Sequence, residues 1–198
     1  MFFSKKFRPW LYSLAIFFLL FTRFVKLNWG EGNYFQPDEN NMAVALTQLS
    51  PTSFNPHFFA YGQFPLYLGY FILHLLHWPN NLINSIIILR FISAIYSVLF
   101  VLIFSKISQQ LFPKVSPLIL VFLLITSPGL IQIAHFGTTE TLLCLVFAIN
   151  IYYSLKIIKS PRFVYFALIG LATSLGLASK ISSLIFFAPL IFSCLLIF

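Results

Sequence analysis

The acidic residues are the first groups to explain, because a chain that is 60% hydrophobic has few side chains able to do acid–base chemistry. There are only four of them in 198 residues: Glu31, Asp38, Glu39 and Glu140. Asp38 and Glu39 are adjacent in the stretch YFQPDENNMA, where one carboxylate could take a proton from a hydroxyl while its neighbour holds a partner or a cation. Equally, both could merely complement the dipole of a helix that begins at Pro37.

The composition predicts an integral membrane protein. Charged residues make up 8% of the chain, and apolar runs recur from Trp10 to Phe198, each long enough to be judged as a membrane span of ~20 residues. A soluble domain would need far more polar surface to cover its core. The net charge of +8 could suggest nucleic acid. The basic residues, however, form short clusters between apolar runs, which is typical of cytoplasmic loops, so we expect no nucleic-acid partner.

The same basic residues predict the topology. Lys5, Lys6 and Arg8 indicate a cytoplasmic N-terminus and an uncleaved first span at about residues 10–27, since no small-residue cleavage site follows it. The apolar segment 64–78 is shorter than the ~20 residues a bilayer needs and contains histidines and a proline, so it should lie along the outer interface or re-enter. All later basic clusters then face the cytoplasm, and Glu140 lies on the same outer face as Asp38.

These assignments predict an all-α polytopic membrane protein with about six transmembrane helices and an outer amphipathic or re-entrant segment in the first loop. A short helix should begin at Pro37 and lie on the membrane surface through an apolar stripe at Met42, Ala45, Leu46 and Leu49. A kink is expected at Ser127-Pro128-Gly129. Residues 1–198 should form one membrane domain, the N-terminal part of a longer protein. Glu31, in a Gly-Glu-Gly loop, is expected to be only solvated.

Several short motifs follow one another on the outer face. They are PDE after span one, NPHFFAYGQFPLYLGY in the first loop, LRFISAIYS in span two, AHFGTTET before span four and GLATSLGLASK at the end of span five. Together they resemble the polytopic C-type glycosyltransferases, most closely the protein O-mannosyltransferase and aminoarabinose transferase group. Two features depart from that group: its consecutive prolines are replaced by Gly-Gln-Phe-Pro, and its members are usually far longer.

The resemblance implies sugar transfer from a polyprenyl-phosphate-linked donor to a hydroxyl of a protein, lipid or glycan acceptor on the extracytoplasmic face. It implies that Asp38 is the general base, that Glu39 is its companion, and that Glu140 is a second acidic position. Basic residues at Arg90 and Lys180 match positions suited to the donor phosphate. We expect His57, Tyr61 and His135 to complete the substrate-binding set. No cofactor is obligatory, and an optional divalent cation would use Glu39 and Glu140.

Other classes of function stay open at this point. A transporter or lipid flippase could line its path with Asp38, Glu140 and Arg90, although such a path needs polar groups near the bilayer midplane and spans one and three to five lack central charges. A non-catalytic membrane scaffold would leave Asp38 and Glu140 far apart. We expect a multi-pass protein of the plasma membrane, surrounded by membrane lipids.

Overall fold

The computed structural model describes residues 8–30 and 34–197, with side chains from residue 10 onward, so Lys5, Lys6 and Glu31 lie outside the described residues. Within these ranges every named element is a helix, which confirms the predicted all-α class. The elements are α1 (Arg8–Phe24), α2 (Pro37–Thr47), α3 (Phe64–Leu75), α4 (Leu82–Leu111), α5 (Pro117–Thr126), α6 (Pro128–Ala134), α7 (Glu140–Lys159), α8 (Phe163–Leu177), a 3₁₀ helix (Ile181–Phe187) and α9 (Ala188–Leu195).

Helices α4 and α7 are each long and apolar enough to cross a membrane. The pair α5 and α6 qualifies as a third span if the two are counted together, with a bend of 59° between them. The remaining apolar helices of the described ranges are shorter, so the predicted count of about six spans is not confirmed. Helix α3 has 12 residues, or roughly 18 Å at 1.5 Å per residue, which is too short to cross a bilayer and agrees with the predicted outer segment.

A buried arginine occupies the break between α5 and α6, at the predicted Ser127-Pro128-Gly129 kink. Pro128 has no N–H, so the carbonyl of Leu124 loses its helical partner. Arg23 supplies another: its Nη2 donates to Leu124 O (3.0 Å) and its Nη1 to Ile125 O (3.3 Å). Its Nε donates to Ser97 Oγ of α4 at 2.9 Å. This fully buried side chain therefore ties α1 to α4 and to the bend, a role that its sequence context does not predict.

The predicted helix after the first span is present, but its apolar stripe faces protein. Helix α2 begins at Pro37, and the side chain of Gln36 accepts a hydrogen bond from Glu39 N at the N-terminus. The stripe residues Met42, Ala45, Leu46 and Leu49 are buried in one cluster with residues of α3 and α4. The expected contact with the membrane surface is therefore wrong for this stripe, because α3 and α4 pack against it.

Helices α7 and α8 pack together and hold the 3₁₀ helix that follows Lys180. Asn150 of α7 is fully buried, and its Nδ2 donates to Thr173 Oγ1 of α8 and to Phe186 O, both at 2.8 Å. The second of these bonds satisfies a carbonyl of the short 3₁₀ segment, where the α-helical ladder is interrupted. The connection between α8 and the 3₁₀ helix, which carries Lys180, is thereby fixed from the α7 side.

Candidate functional site

Four of the predicted site residues form one continuous row of side chains. The Tyr61 hydroxyl donates to Asp38 Oδ2 at 2.9 Å. Lys180 Nζ lies 4.8 Å from the centre of the Tyr61 ring and 3.6 Å from Glu140 Oε1. We call Asp38, Tyr61, Lys180 and Glu140 the polar row. It joins residues from α2, the following loop, the connection after α8 and the start of α7, so only two side chains separate the carboxylates of Asp38 and Glu140.

The backbone explains how Tyr61 and Lys180 come together. Gly62 N donates to Ser179 O at 2.8 Å, and Phe64 N donates to Ala178 O at 3.1 Å. A Cβ atom on Gly62 would lie 2.1 Å from Ala178 O, so the two segments approach closely only because residue 62 is glycine. The Gly-Gln-Phe-Pro sequence thus docks the first loop onto the end of α8.

We expect Gly62→Ala to separate the two halves of the polar row. The added methyl group must push the loop off Ala178 and break both backbone hydrogen bonds, at a cost of about 1–3 kcal/mol in the free energy of unfolding. Displacing Tyr61 from Lys180 should also lower any activity of the site by up to about 100-fold, as a misplacement of ~1 Å can do. Unfolding in detergent measures the first effect. Gly170→Ala is the matched control, because nothing lies within 4 Å of a Cβ there.

Glu39 and Arg90 form a separate, buried ion pair. Arg90 Nε lies 2.7 Å from Glu39 Oε1 and Arg90 Nη2 lies 2.6 Å from Glu39 Oε2, in the two-pronged geometry of a guanidinium–carboxylate pair. The remaining Nη1 donates to the carbonyls of Leu27 and Trp29 at 2.8 and 2.9 Å. Side-chain exposure is 0% for Glu39 and 1% for Arg90. The structure thus pairs these two residues with each other, and their predicted contacts with acceptor, cation or donor phosphate stay predictions.

A glycine of the AHFGTTET motif completes this pair. Gly137 N donates to Glu39 Oε1 at 2.6 Å. A Cβ on Gly137 would lie 2.6 Å from Leu89 Cβ, so only glycine lets the backbone approach α4 this closely. The motif contributes to the family resemblance, but its sequence alone does not indicate a role for Gly137. Its contact links the loop before α7, and hence Glu140, to the start of α2.

Neither predicted histidine belongs to the polar row. The ring nitrogens of His135 lie 2.8 Å from Ile131 O and 3.0 Å from Val25 O. Its own carbonyl accepts from Trp29 Nε1 at 3.0 Å, so His135 connects the end of α6 to the segment after α1. His57 is exposed, with a left-handed φ of 48°. Their roles in substrate binding stay predictions.

The charges of the polar row favour a neutral, hydrogen-bonding Tyr61. Partial burial raises the pKa of the Tyr61 phenol, and its hydrogen bond to Asp38 and the charges of Asp38 and Glu140 raise the pKa further. The phenol therefore stays protonated at neutral pH and remains a donor to Asp38. Two carboxylates against one lysine leave the row with a net formal charge of −1, in which Lys180 is the one cation.

Glu39 and Glu140, the two predicted ligands of a divalent cation, differ in whether their carboxylate oxygens are already hydrogen-bonded. Both Glu39 oxygens are hydrogen-bonded, whereas Glu140 Oε2 is buried with no hydrogen-bond partner among the described residues. The hydroxyls of the neighbouring Thr139 and Thr141 are also buried without a hydrogen-bond partner among the described residues. No group of three or more histidine, cysteine, aspartate or glutamate side chains is close enough to hold a metal in the part of the chain that the structure describes. Of the two predicted ligands, Glu140 alone keeps a free oxygen.

Within the described residues, the fold and the site define an all-helical membrane protein whose acidic side chains gather around the start of α7 and the first third of α4. Residues 68–198, well over half of the chain, match the family described as dolichyl-phosphate-mannose-protein mannosyltransferase, and the chain belongs to this family. This confirms the resemblance to the C-type glycosyltransferases and supports mannosyltransferase-like glycosyltransferase activity in general. It does not favour a transporter or flippase. No curated protein and no solved structure matches the chain.

The range that matches the family contains only some of the predicted site residues. Arg90, His135, Glu140 and Lys180 lie within it, whereas Asp38, Glu39, His57 and Tyr61 precede it. The two groups nevertheless meet in the structure, through Tyr61 with Lys180 and through Glu39 with Arg90.

Proposed function

We propose that the chain transfers a sugar from a polyprenyl-phosphate-linked donor to an acceptor hydroxyl on the extracytoplasmic face of the membrane, with Asp38 as general base. The observation that carries the proposal is the polar row, which joins Asp38 of the first loop to Glu140 of α7 through Tyr61 and Lys180. Family membership supports a polyprenyl-phosphate donor and a protein acceptor.

The chemistry is a single displacement at C1 of the sugar. The acceptor oxygen forms the new bond to C1 while the bond from C1 to the phosphate oxygen breaks and its electron pair leaves with the phosphate. The acceptor proton passes to Asp38, which must lie within hydrogen-bond reach of it. One displacement inverts the configuration at C1. Because the leaving group is already a phosphate, the protein needs only to orient it and balance its charge.

Lys180 is the cation best placed to balance that charge. Its side chain is 31% exposed, and its nearest carboxylate oxygen, Glu140 Oε1, is 3.6 Å away, longer than a close ion pair. Arg90, by contrast, uses all three of its nitrogens on Glu39 and on two carbonyls. The proposal therefore gives Lys180 the donor phosphate, with Glu140 orienting its ammonium group, and makes Glu39 and Arg90 the pair that holds the start of α2, and Asp38 with it, in place.

The direct test is transfer of labelled mannose from mannosyl polyprenyl phosphate to a peptide containing serine and threonine, with the whole chain in proteoliposomes. Product with an inverted C1 supports the proposal, and product with retained configuration would exclude a single displacement. A divalent cation at Glu140 is an option that addition of Mg²⁺ or Mn²⁺ to this assay examines.

A separate experiment tests on which side of the membrane the site lies. In a variant lacking Cys144 and Cys194, we expect a cysteine placed at Glu140 to react with a membrane-impermeant maleimide added outside intact cells. The reason is that the proposed topology, with cytoplasmic basic clusters and a non-crossing α3, has the start of α7 outside. A cysteine at Ser160, in the predicted cytoplasmic loop, is the control and should react only after permeabilisation. Position 140 labelled only from inside would contradict the outer site and the plasma-membrane orientation with a cytoplasmic N-terminus.

A further inference from the structure

Asp38 already accepts a hydrogen bond from a hydroxyl group in the structure. The Tyr61 hydroxyl lies 2.9 Å from Asp38 Oδ2. A general base takes a proton from an acceptor hydroxyl at a heavy-atom separation of about 2.6–3.2 Å. An acceptor hydroxyl that approached the same lone pair of Oδ2 would meet the phenol, so the two hydroxyls compete for that lone pair.

The backbone that carries Tyr61 is anchored independently of its side chain. Its loop is fixed through the backbone, by the bonds from Gly62 N to Ser179 O and from Phe64 N to Ala178 O. The ring touches Phe58 in a tilted contact at 5.9 Å and lies under Lys180 Nζ at 4.8 Å. Tyr61 is only half-buried. A rotation about its side-chain bonds gives up the hydrogen bond to Asp38, the ring contacts with Phe58 and Lys180, and part of the ring's packing against the buried cluster of α2, α3 and α4.

We propose that Tyr61 is a gate that occupies the acceptor position on Asp38 and swings away when the acceptor hydroxyl binds. This inference rests on the proposed function, since it takes Asp38 as the base. The exchange replaces one hydroxyl donor by another, so Asp38 stays hydrogen-bonded throughout. The phenol keeps its own proton, and the proton that Asp38 receives is the acceptor's.

Movement of the ring has a second effect on the same row. Lys180 Nζ lies over the Tyr61 ring, whose π face attracts the ammonium group. When the ring leaves, Lys180 loses this contact and is released toward a phosphate. The gate therefore couples acceptor binding to exposure of the cation that the donor needs, and it covers the base while the site is empty.

The test is Tyr61→Phe, which removes the hydroxyl and keeps the ring. If the Tyr61 hydroxyl competes with the acceptor, some molecules cannot bind the acceptor because the phenol occupies Asp38. Removing the hydroxyl makes all molecules competent to bind. The apparent affinity for the acceptor peptide should rise about tenfold, the effect of removing one modest hydrogen bond to a charged group. The KM for the peptide should fall by the same factor. Tyr67→Phe is the control, because the Tyr67 hydroxyl binds Phe54 O and Gln63, outside the polar row.

A second readout does not depend on turnover. A water-soluble carbodiimide with glycine ethyl ester labels accessible carboxyl groups, and mass spectrometry reports labelling of Asp38. We expect the peptide to protect Asp38 at about tenfold lower concentration in Tyr61→Phe than in the parent or in Tyr67→Phe. An unshifted protection midpoint overturns the gate. So does a Tyr61→Phe kcat as low as that of Asp38→Asn, which would make Tyr61 part of the proton transfer. The proposed function fails separately, if Asp38→Asn retains full transfer.

Discussion

Asp38→Asn should lower kcat for sugar transfer by about 10²–10⁴-fold, the usual contribution of a positioned general base. Asparagine has the same size, and its side-chain oxygen can still accept the hydrogen bond from Tyr61 that Asp38 accepts at 2.9 Å. It cannot take a proton from the acceptor. The loss therefore belongs to the chemical step, and at 1.36 kcal/mol per factor of ten it corresponds to about 2.7–5.4 kcal/mol of transition-state stabilisation.

The measurement is initial-rate transfer in proteoliposomes with mannosyl polyprenyl phosphate and a peptide containing serine and threonine. The KM for the donor and the melting temperature in detergent should match the parent protein, because neither the Glu39–Arg90 pair nor Lys180 is changed. Thr47→Ala, at the opposite end of α2, serves as the control and should transfer at the parental rate. A kcat for Asp38→Asn within about threefold of the parent would rule out Asp38 as the base.

Local signals in the sequence located the elements that carry this chemistry. Proline at the first helical position placed the start of α2 at Pro37, and the Ser-Pro-Gly stretch placed the bend at Pro128, because proline cannot donate a helical hydrogen bond. The short length of the segment containing α3 indicated that it does not cross a bilayer. Each of these follows from the local chain, so no knowledge of packing was needed.

The pairing of charges could not be predicted in this way. Successive helix residues point about 100° apart, so the sequence alone does not say which of Asp38 and Glu39 faces the protein interior. In the structure Glu39 meets Arg90, 51 positions further along the chain, and Asp38 meets Tyr61. Hydropathy placed Arg90 in the outer half of a span, but it did not indicate in which direction the Arg90 side chain points. Arg23 was missed because its carbonyl partners on α5 become available only where α5 and α6 bend.

Removing one partner of the Glu39–Arg90 pair should have the largest effect on stability. We expect Glu39→Gln or Arg90→Gln alone to cost about 3–5 kcal/mol in the free energy of unfolding, because each leaves a charge buried without its counterion. The double variant Glu39→Gln/Arg90→Gln should cost clearly less than the sum of the two, since both charges are then removed together. Denaturant unfolding in detergent micelles, analysed as a double-mutant cycle, measures this coupling.

The polar row contains the matched control for that cycle. Glu140 and Lys180 are 39% and 31% exposed and 3.6 Å apart, and Glu140→Gln with Lys180→Gln should show a coupling of only about 0–1 kcal/mol, as exposed pairs do.

The Glu39–Arg90 cycle also distinguishes two possible roles for Arg90, which are positioning α2 and binding the donor phosphate. If Arg90 positions α2, Arg90→Gln lowers stability and its donor KM changes little in the molecules that stay folded. A stable Arg90→Gln protein with a donor KM raised ~100-fold would instead show that Arg90 binds the donor phosphate, which would require its ion pair with Glu39 to open during the reaction.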